Sequence, residues 1–163
     1  MVGVLKTNKW KIAVVLLIIA VSILVLGMRS LHMAPVSWAW YGPVNAYSGV
    51  AMGGYDPVAY HVVKNSQKGS PENSFNWQGV NWHFTSLENK NKFAIDPDKF
   101  APQFGGYCAF AVSSGFTATS NAPFWSINNG KLNLFFDKGA KQKWLAQIEK
   151  KILLRAENNW AKR

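Results

Sequence analysis

The sequence predicts a small α+β domain behind a single N-terminal transmembrane helix. Three features predict it. An uncharged apolar run extends from Ile12 to Met28; two stretches near 75–84 and 125–136 alternate aromatic or aliphatic residues with polar ones around turn residues; and apolar residues recur every four positions near the C-terminus. At 163 residues the chain has room for one domain. The order strands, helix, strands, helix is that of an α+β fold, with two hairpins, a short helix and a long C-terminal helix.

The elements follow in order. Residues 10–28 read WKIAVVLLIIAVSILVLGM, with Ser22 the only polar side chain between Ile12 and Met28. A helix of this length approaches the roughly 30 Å of a bilayer's hydrocarbon. Lys6, Lys9 and Lys11 precede it and Arg29 alone follows closely, which places residues 1–9 in the cytoplasm and the rest across the membrane. A cleaved signal peptide is the competing reading. The core is longer than is usual for one, and no Ala-x-Ala site follows, so an uncleaved anchor is expected. Residues 29–50 read as an aromatic tether. Trp38, Trp40 and Tyr41 either rest at the membrane interface or pack against the domain, while Gly42, Pro43 and Gly49 argue against a helix.

The folded domain is expected over 51–163. Val58, Tyr60 and Val62 alternate with Ala59, His61 and Val63, which predicts a strand buried on two faces, with Tyr55-Asp56-Pro57 as its entry turn. A polar loop follows. Phe75 and Trp77 then share one face, a turn falls at Gly79, and Trp82 and Phe84 return, with Asn76 and His83 on the opposite face. Ser86 is placed to cap a helix with Glu88 in its first turn, and Pro97 ends that helix. A second hairpin turns at Asn129-Gly130, between Trp125 and Ile127 on one side and Leu132, Leu134 and Phe136 on the other. Asp137 is a candidate N-cap for the closing helix, on which Trp144, Ile148, Ile152 and Ala156 repeat every four residues against Lys143, Gln147 and Lys150.

Net charge is +10. The anchor flanks and the basic C-terminal helix carry most of it, which for a domain outside the cytoplasm suits an anionic lipid surface or an acidic protein partner better than nucleic acid. Nucleotide-binding and hydrolase signatures are absent, so no catalytic residues are assigned. The single cysteine, Cys108, has no partner for an internal disulfide. It is a buried thiol, a metal ligand, a reactive thiol or half of an intermolecular bridge. Gly105-Gly106 before it permits a tight turn or a close backbone approach, and Tyr107 and Phe110 are placed to pack beside it. Cys108, Met52, His61 and His83, with Asp56 and with His32 and Met33 on the tether, supply the soft and borderline donors that suit copper(I), although no Cys-x-x-Cys or His-x-x-x-His spacing is present.

The segments GGYDPVAY, W-x-G-x-x-W-x-F-x-S-x-E-N-x-x-x-F and DPDKFAPQFGGYCAFAVSSG, in that order between Gly53 and Trp160, resemble the YHS-domain family, in particular its membrane-anchored or exported bacterial branch. The resemblance implies a small metal-associated module in a bacterial inner membrane, with the C-terminal domain in the periplasm. Where cysteine-bearing members carry thiols, after Asp-Pro-Val and at the helix start, this chain has Ala59, Tyr60, Thr85, Ser86 and Asn89. The expected function is therefore a non-enzymatic, copper-handling module with Cys108, His61, His83 and Met52 as metal residues and Tyr55, Asp56, Gly105, Gly106 and Tyr107 as supporting positions. The alternative is a metal-free accessory or assembly subunit of a membrane complex, using the same scaffold for protein interaction.

Overall fold

The computed structural model describes residues 9–147 and 151–163; residues 1–8, with Lys6, and Ile148 and Lys150 of the closing helix lie outside the described residues. The chain forms two compact units, 1–31 and 32–163. The first contains α1 (Lys9–Ser30), none of whose residues is buried. It is long and apolar enough to cross a membrane.

The second unit is mixed α and β. Its elements are β1 (Ala34–Pro35), β2 (Ala46–Tyr47), β3 (Val50–Ala51), α2 (Pro57–Val62), β4 (Ser70–Trp77), β5 (Val80–Phe84), α3 (Leu87–Ile95), α4 (Pro97–Phe100), α5 (Ala109–Ser113), β6 (Phe116–Thr117), β7 (Asn121–Asn128), β8 (Lys131–Phe135), α6 (Lys138–Leu145) and α7 (Ile152–Trp160). One sheet has the order β2-β3-β5-β4; β1 pairs with β6, and β7 with β8.

Both expected hairpins form about the expected turns, each with a register shift away from the turn, and β8 ends at Phe135, one residue short of Phe136. Phe75 lies opposite Trp82 and Trp77 opposite Val80, across a Gln78-Gly79 turn with φ of 53° and 76°. Trp125 lies opposite Leu134 and Ile127 opposite Leu132, across Asn129-Gly130 with φ of 51° and 74°. Two successive positive φ values give the turn whose twist suits a two-residue hairpin. Ser86 caps α3 by accepting from the Asn89 N–H, and Asp137 caps α6 by accepting from the Ala140 N–H.

Three expectations require correction. The segment after Asp56 is a helix, not a strand. Asp56 is its N-cap and Pro57 its first residue, a pairing that favours helix initiation. Val58, Ala59 and Tyr60 are all fully buried, so the helix shows no polar face and its period is hidden. Second, the segment expected as a tether belongs largely to the folded unit: β1 pairs with β6, β2 with β3, and Val36, Val44 and Asn45 are buried. Third, the closing helix is interrupted. α6 ends at Leu145, and Lys151 is left-handed at φ 64° immediately before α7. That break lets Trp144, Ile152 and Ala156 all reach the same apolar cluster.

Two clusters form the core. The first gathers Trp82, Phe84 and Phe93 with Val58 and Tyr60 from α2 and Leu132 and Leu134 from β8. Phe93 is its centre, with the rings of Phe84, Trp82, Trp77 and Phe75 at 5.1 to 6.3 Å. The second gathers Phe104, Tyr107, Cys108, Val112, Phe135, Trp144, Ile152 and Ala156.

Candidate functional site

Asp56 is 0% exposed and saturated. One carboxyl oxygen accepts the Val58 and Ala59 N–H groups at 2.8 and 3.2 Å. The other accepts the Thr85 N–H at 2.9 Å, the Thr85 hydroxyl at 2.8 Å and the Asn89 amide at 2.7 Å. All five contacts are donors, so this group joins the starts of α2 and α3 and has no free lone pair directed at a ligand. Tyr55, its neighbour, bridges to Lys68, whose ammonium lies 4.9 Å from the Tyr55 ring. Both residues thus act in the scaffold at the segment that the sequence marks as distinctive.

Cys108 is 2% exposed, inside the second apolar cluster. Its N–H donates to the Ala118 carbonyl at 2.9 Å and its backbone bridges to Leu134. Burial pushes its thiol up, while the backbone N–H groups of Ala111, Phe136 and Phe110 oppose that shift. The thiolate is the form that ligates or attacks, so burial, the largest of these effects, disfavours both roles.

The other candidate donors occupy different places. Met52 is buried in the first cluster in a left-handed conformation at φ 52°, and its Cγ lies 3.6 Å from where a Cβ on Gly106 would stand. His61 is on α2, with its ring edge-on to Phe100 at 5.5 Å. Burial lowers its pKa, the Lys64 and Lys99 charges lower it further, a hydrogen bond with the Phe100 backbone opposes them, and Lys131 adds to the lowering. Its Nε2 is buried and has no hydrogen-bond partner among the described residues. His83 is on β5, with Nδ1 3.1 Å from the position a Gly54 Cβ would take. His32 stacks between Tyr41 and Tyr47 at 4.8 and 4.4 Å, and its Nδ1 lies 3.1 Å from Asn45 Oδ1. His61 and His83 therefore do not face each other across a sheet. Among the described residues, no three His, Cys, Asp or Glu side chains converge as a metal-binding group.

The Gly105-Gly106 turn has a clear physical purpose. A Cβ on Gly105 would lie 1.9 Å from the Pro43 carbonyl oxygen, so only glycine permits this approach. The contact is stitched on both sides. The Asn45 N–H donates to the Gly105 carbonyl at 2.8 Å, and the Asn45 amide and Ser120 hydroxyl donate to Gly106 at 3.2 and 2.7 Å. Tyr107 donates to the Gly42 carbonyl at 2.9 Å. Burial outweighs the Arg163 charge and holds the Tyr107 phenol up at about 12.

This turn forms one wall of a cleft of about 580 Å³, a size ordinary for small-ligand sites. Phe104 and Gly105 meet Trp77, Trp160, Lys131 and Arg163 around it. The Arg163 guanidinium lies 4.8 Å from the Trp160 ring; it donates to the Tyr41 carbonyl, and its Nη1 is buried without a hydrogen-bond partner among the described residues. Lys131 Nζ donates to the Asp98 carbonyl at 2.9 Å. Gly105 is the only one of the sequence-derived site residues that lines the cleft. Trp77, Trp160, Lys131 and Arg163 come from well-separated segments, and their only sequence signal is the aromatic and basic character of the chain.

Comparison with protein-family models, curated proteins and solved structures finds no match to this chain.

Proposed function

We propose that this protein is a membrane-tethered, non-catalytic binding module whose occupant enters the cleft beside the Gly105-Gly106 turn. The cleft is the observation that carries this reading. It offers flat aromatic walls at Trp77 and Trp160 and two cationic side chains, Lys131 and Arg163. A charge-assisted hydrogen bond from an anionic group on the occupant to these cations is worth about 1.5–3 kcal/mol. The matching ligand has a planar apolar body and a carboxylate or phosphate-like group. The tether is α1, and the domain faces outward, into the periplasm, because Lys9 and Lys11 stand in the first turn of α1 and Arg29 alone in its last, the more basic end staying in the cytoplasm. An accessory subunit of a membrane complex fits the same design, with a partner's side chain as the occupant.

Calorimetric titration of the full chain in detergent with benzoate and with phenyl phosphate tests this reading. Fragments of this size bind with about −4 kcal/mol, near millimolar. Binding is expected to be lost in Arg163→Gln and in Ala161→Trp, which fills the cleft from its exposed rim. Equal heats from the wild type and Ala161→Trp would remove the cleft from the function.

A second reading is copper(I) handling through Cys108, the single thiol of the chain and a soft donor of the kind that suits this ion. Titration with copper(I) under reducing conditions tests it: this reading requires loss of affinity in Cys108→Ala, and equal affinity removes the thiol from any site.

A further inference from the structure

The corner built from the start of the folded unit carries a feature that the cleft does not use. Pro35 lies opposite Phe116, the Val36 N–H donates to the Gly115 carbonyl at 2.9 Å, and the Thr117 hydroxyl donates to His32 and Ala34 carbonyls at 2.8 and 3.2 Å. Val36 itself is buried, and Tyr41 packs against the second cluster. The corner is therefore fixed to the domain. Exposed at this corner are Trp38, 54%, Trp40, 64%, and Phe116, 45%. The two indoles lie 4.5 Å apart, held against each other while remaining largely open to solvent.

Chain length decides what covers them. Ser30 ends α1, and Trp38 follows eight residues later. An extended chain reaches at most about 3.6 Å per residue, so Trp38 lies within about 29 Å of the end of that helix. Tryptophan prefers the boundary between headgroups and acyl chains, where an apolar ring and a polar N–H are both satisfied. Charge agrees with this placement. No acidic residue precedes Asp56 anywhere in the chain, and residues 109–120 around Phe116 carry no charge.

We propose that this corner seats in the headgroup–acyl boundary of a phospholipid bilayer, with Trp38, Trp40 and Phe116 as its anchors. The proposal rests on α1 spanning that bilayer. Because the β1–β6 pairing fixes the corner, the seat holds the domain in one orientation, and Pro43 and Val44 of the cleft wall follow Trp40 within four residues.

The test uses nitroxide labels on the full chain in phosphatidylcholine nanodiscs, comparing collisions with oxygen and with a nickel chelate. Cys108 is buried and does not compete for label. Labels go singly on Phe116→Cys, on Ser22→Cys within α1, and on Leu87→Cys at the exposed start of α3. The Phe116 label is expected to favour oxygen, as the Ser22 label does, while the Leu87 label favours the nickel chelate; Trp38→Ser with Trp40→Ser should abolish the preference at Phe116. If Phe116 behaves like Leu87 while Ser22 is shielded by lipid, the span stands and the seat is overturned. If Ser22 is also open to the nickel chelate, the span fails and the proposal with it.

Discussion

Replacing Asp56 is the sharpest test of how the fold is assembled. Its carboxyl group is fully buried and accepts five hydrogen bonds, two inside the first turn of α2 and three from Thr85 and Asn89 at the start of α3. Asp56→Ala removes an N-cap, worth about 1–2 kcal/mol. It also takes the acceptor from the Thr85 and Asn89 donors; Thr85 is exposed and Asn89 half-buried, so each loses less than the about 1–3 kcal/mol of a fully buried, unsatisfied group. Water entering the vacated space recovers part of this, so a loss of about 3–4 kcal/mol is expected, in the upper range for single substitutions. Asp56→Asn keeps the shape but turns an amide N–H₂ toward donors, with an expected loss of about 3 kcal/mol. Urea unfolding of the full chain in detergent, followed by tryptophan fluorescence, measures both. A loss below about 1 kcal/mol for Asp56→Ala would refute the assignment of this residue as the joint between α2 and α3.

Other outcomes follow from the same geometry. Burial and nearby lysines lower the pKa of His61, so the unfolded chain binds its proton more readily. The stability this group contributes is present above about pH 6.5, the ordinary value, and is lost as pH falls through the lowered folded value. Wild type should therefore lose more stability than His61→Phe between pH 7.5 and 5, and parallel curves would contradict this. Burial raises the Cys108 thiol, so iodoacetamide at pH 8 should label it slowly in the folded protein and rapidly in urea, as mass spectrometry will report. Gly105→Ala sets a Cβ against the Pro43 carbonyl at positive φ, and should cost well over 1 kcal/mol in urea unfolding while abolishing phenyl phosphate binding.

Local chemistry made much of the fold legible. Asn129-Gly130 and Gly79 each specify a hairpin turn within two residues, and Ser86 and Asp137 announce their helices through side chains that cap them. What escaped was nonlocal or concealed. The exposed position of α2 is Val62, and its residues from Pro57 to Tyr60 are buried, so no polar face exposes a helical period and the segment read as a strand although Asp56-Pro57 carried the start signal. The pairing of Ala34 with Thr117 joins two-residue strands far apart in sequence, and no propensity predicts it. Lys151 breaks the closing helix from a residue type that ordinarily continues one. At the site, the close approach at Gly105 was foreseeable from the paired glycines. The cleft was not, because Trp77, Lys131, Trp160 and Arg163 meet only once the two apolar clusters have packed.

The eight tryptophans allow one direct measurement of where a ligand binds. With the chain labelled by 5-fluorotryptophan and the resonances assigned by substitution, phenyl phosphate should shift the signals of Trp77 and Trp160. Trp144, fully buried against Phe135, and Trp10 on α1 should not move. Shifts confined to tryptophans other than Trp77, Trp82 and Trp160, the three that line the cleft, or none at saturating ligand, would contradict a binding module built around it.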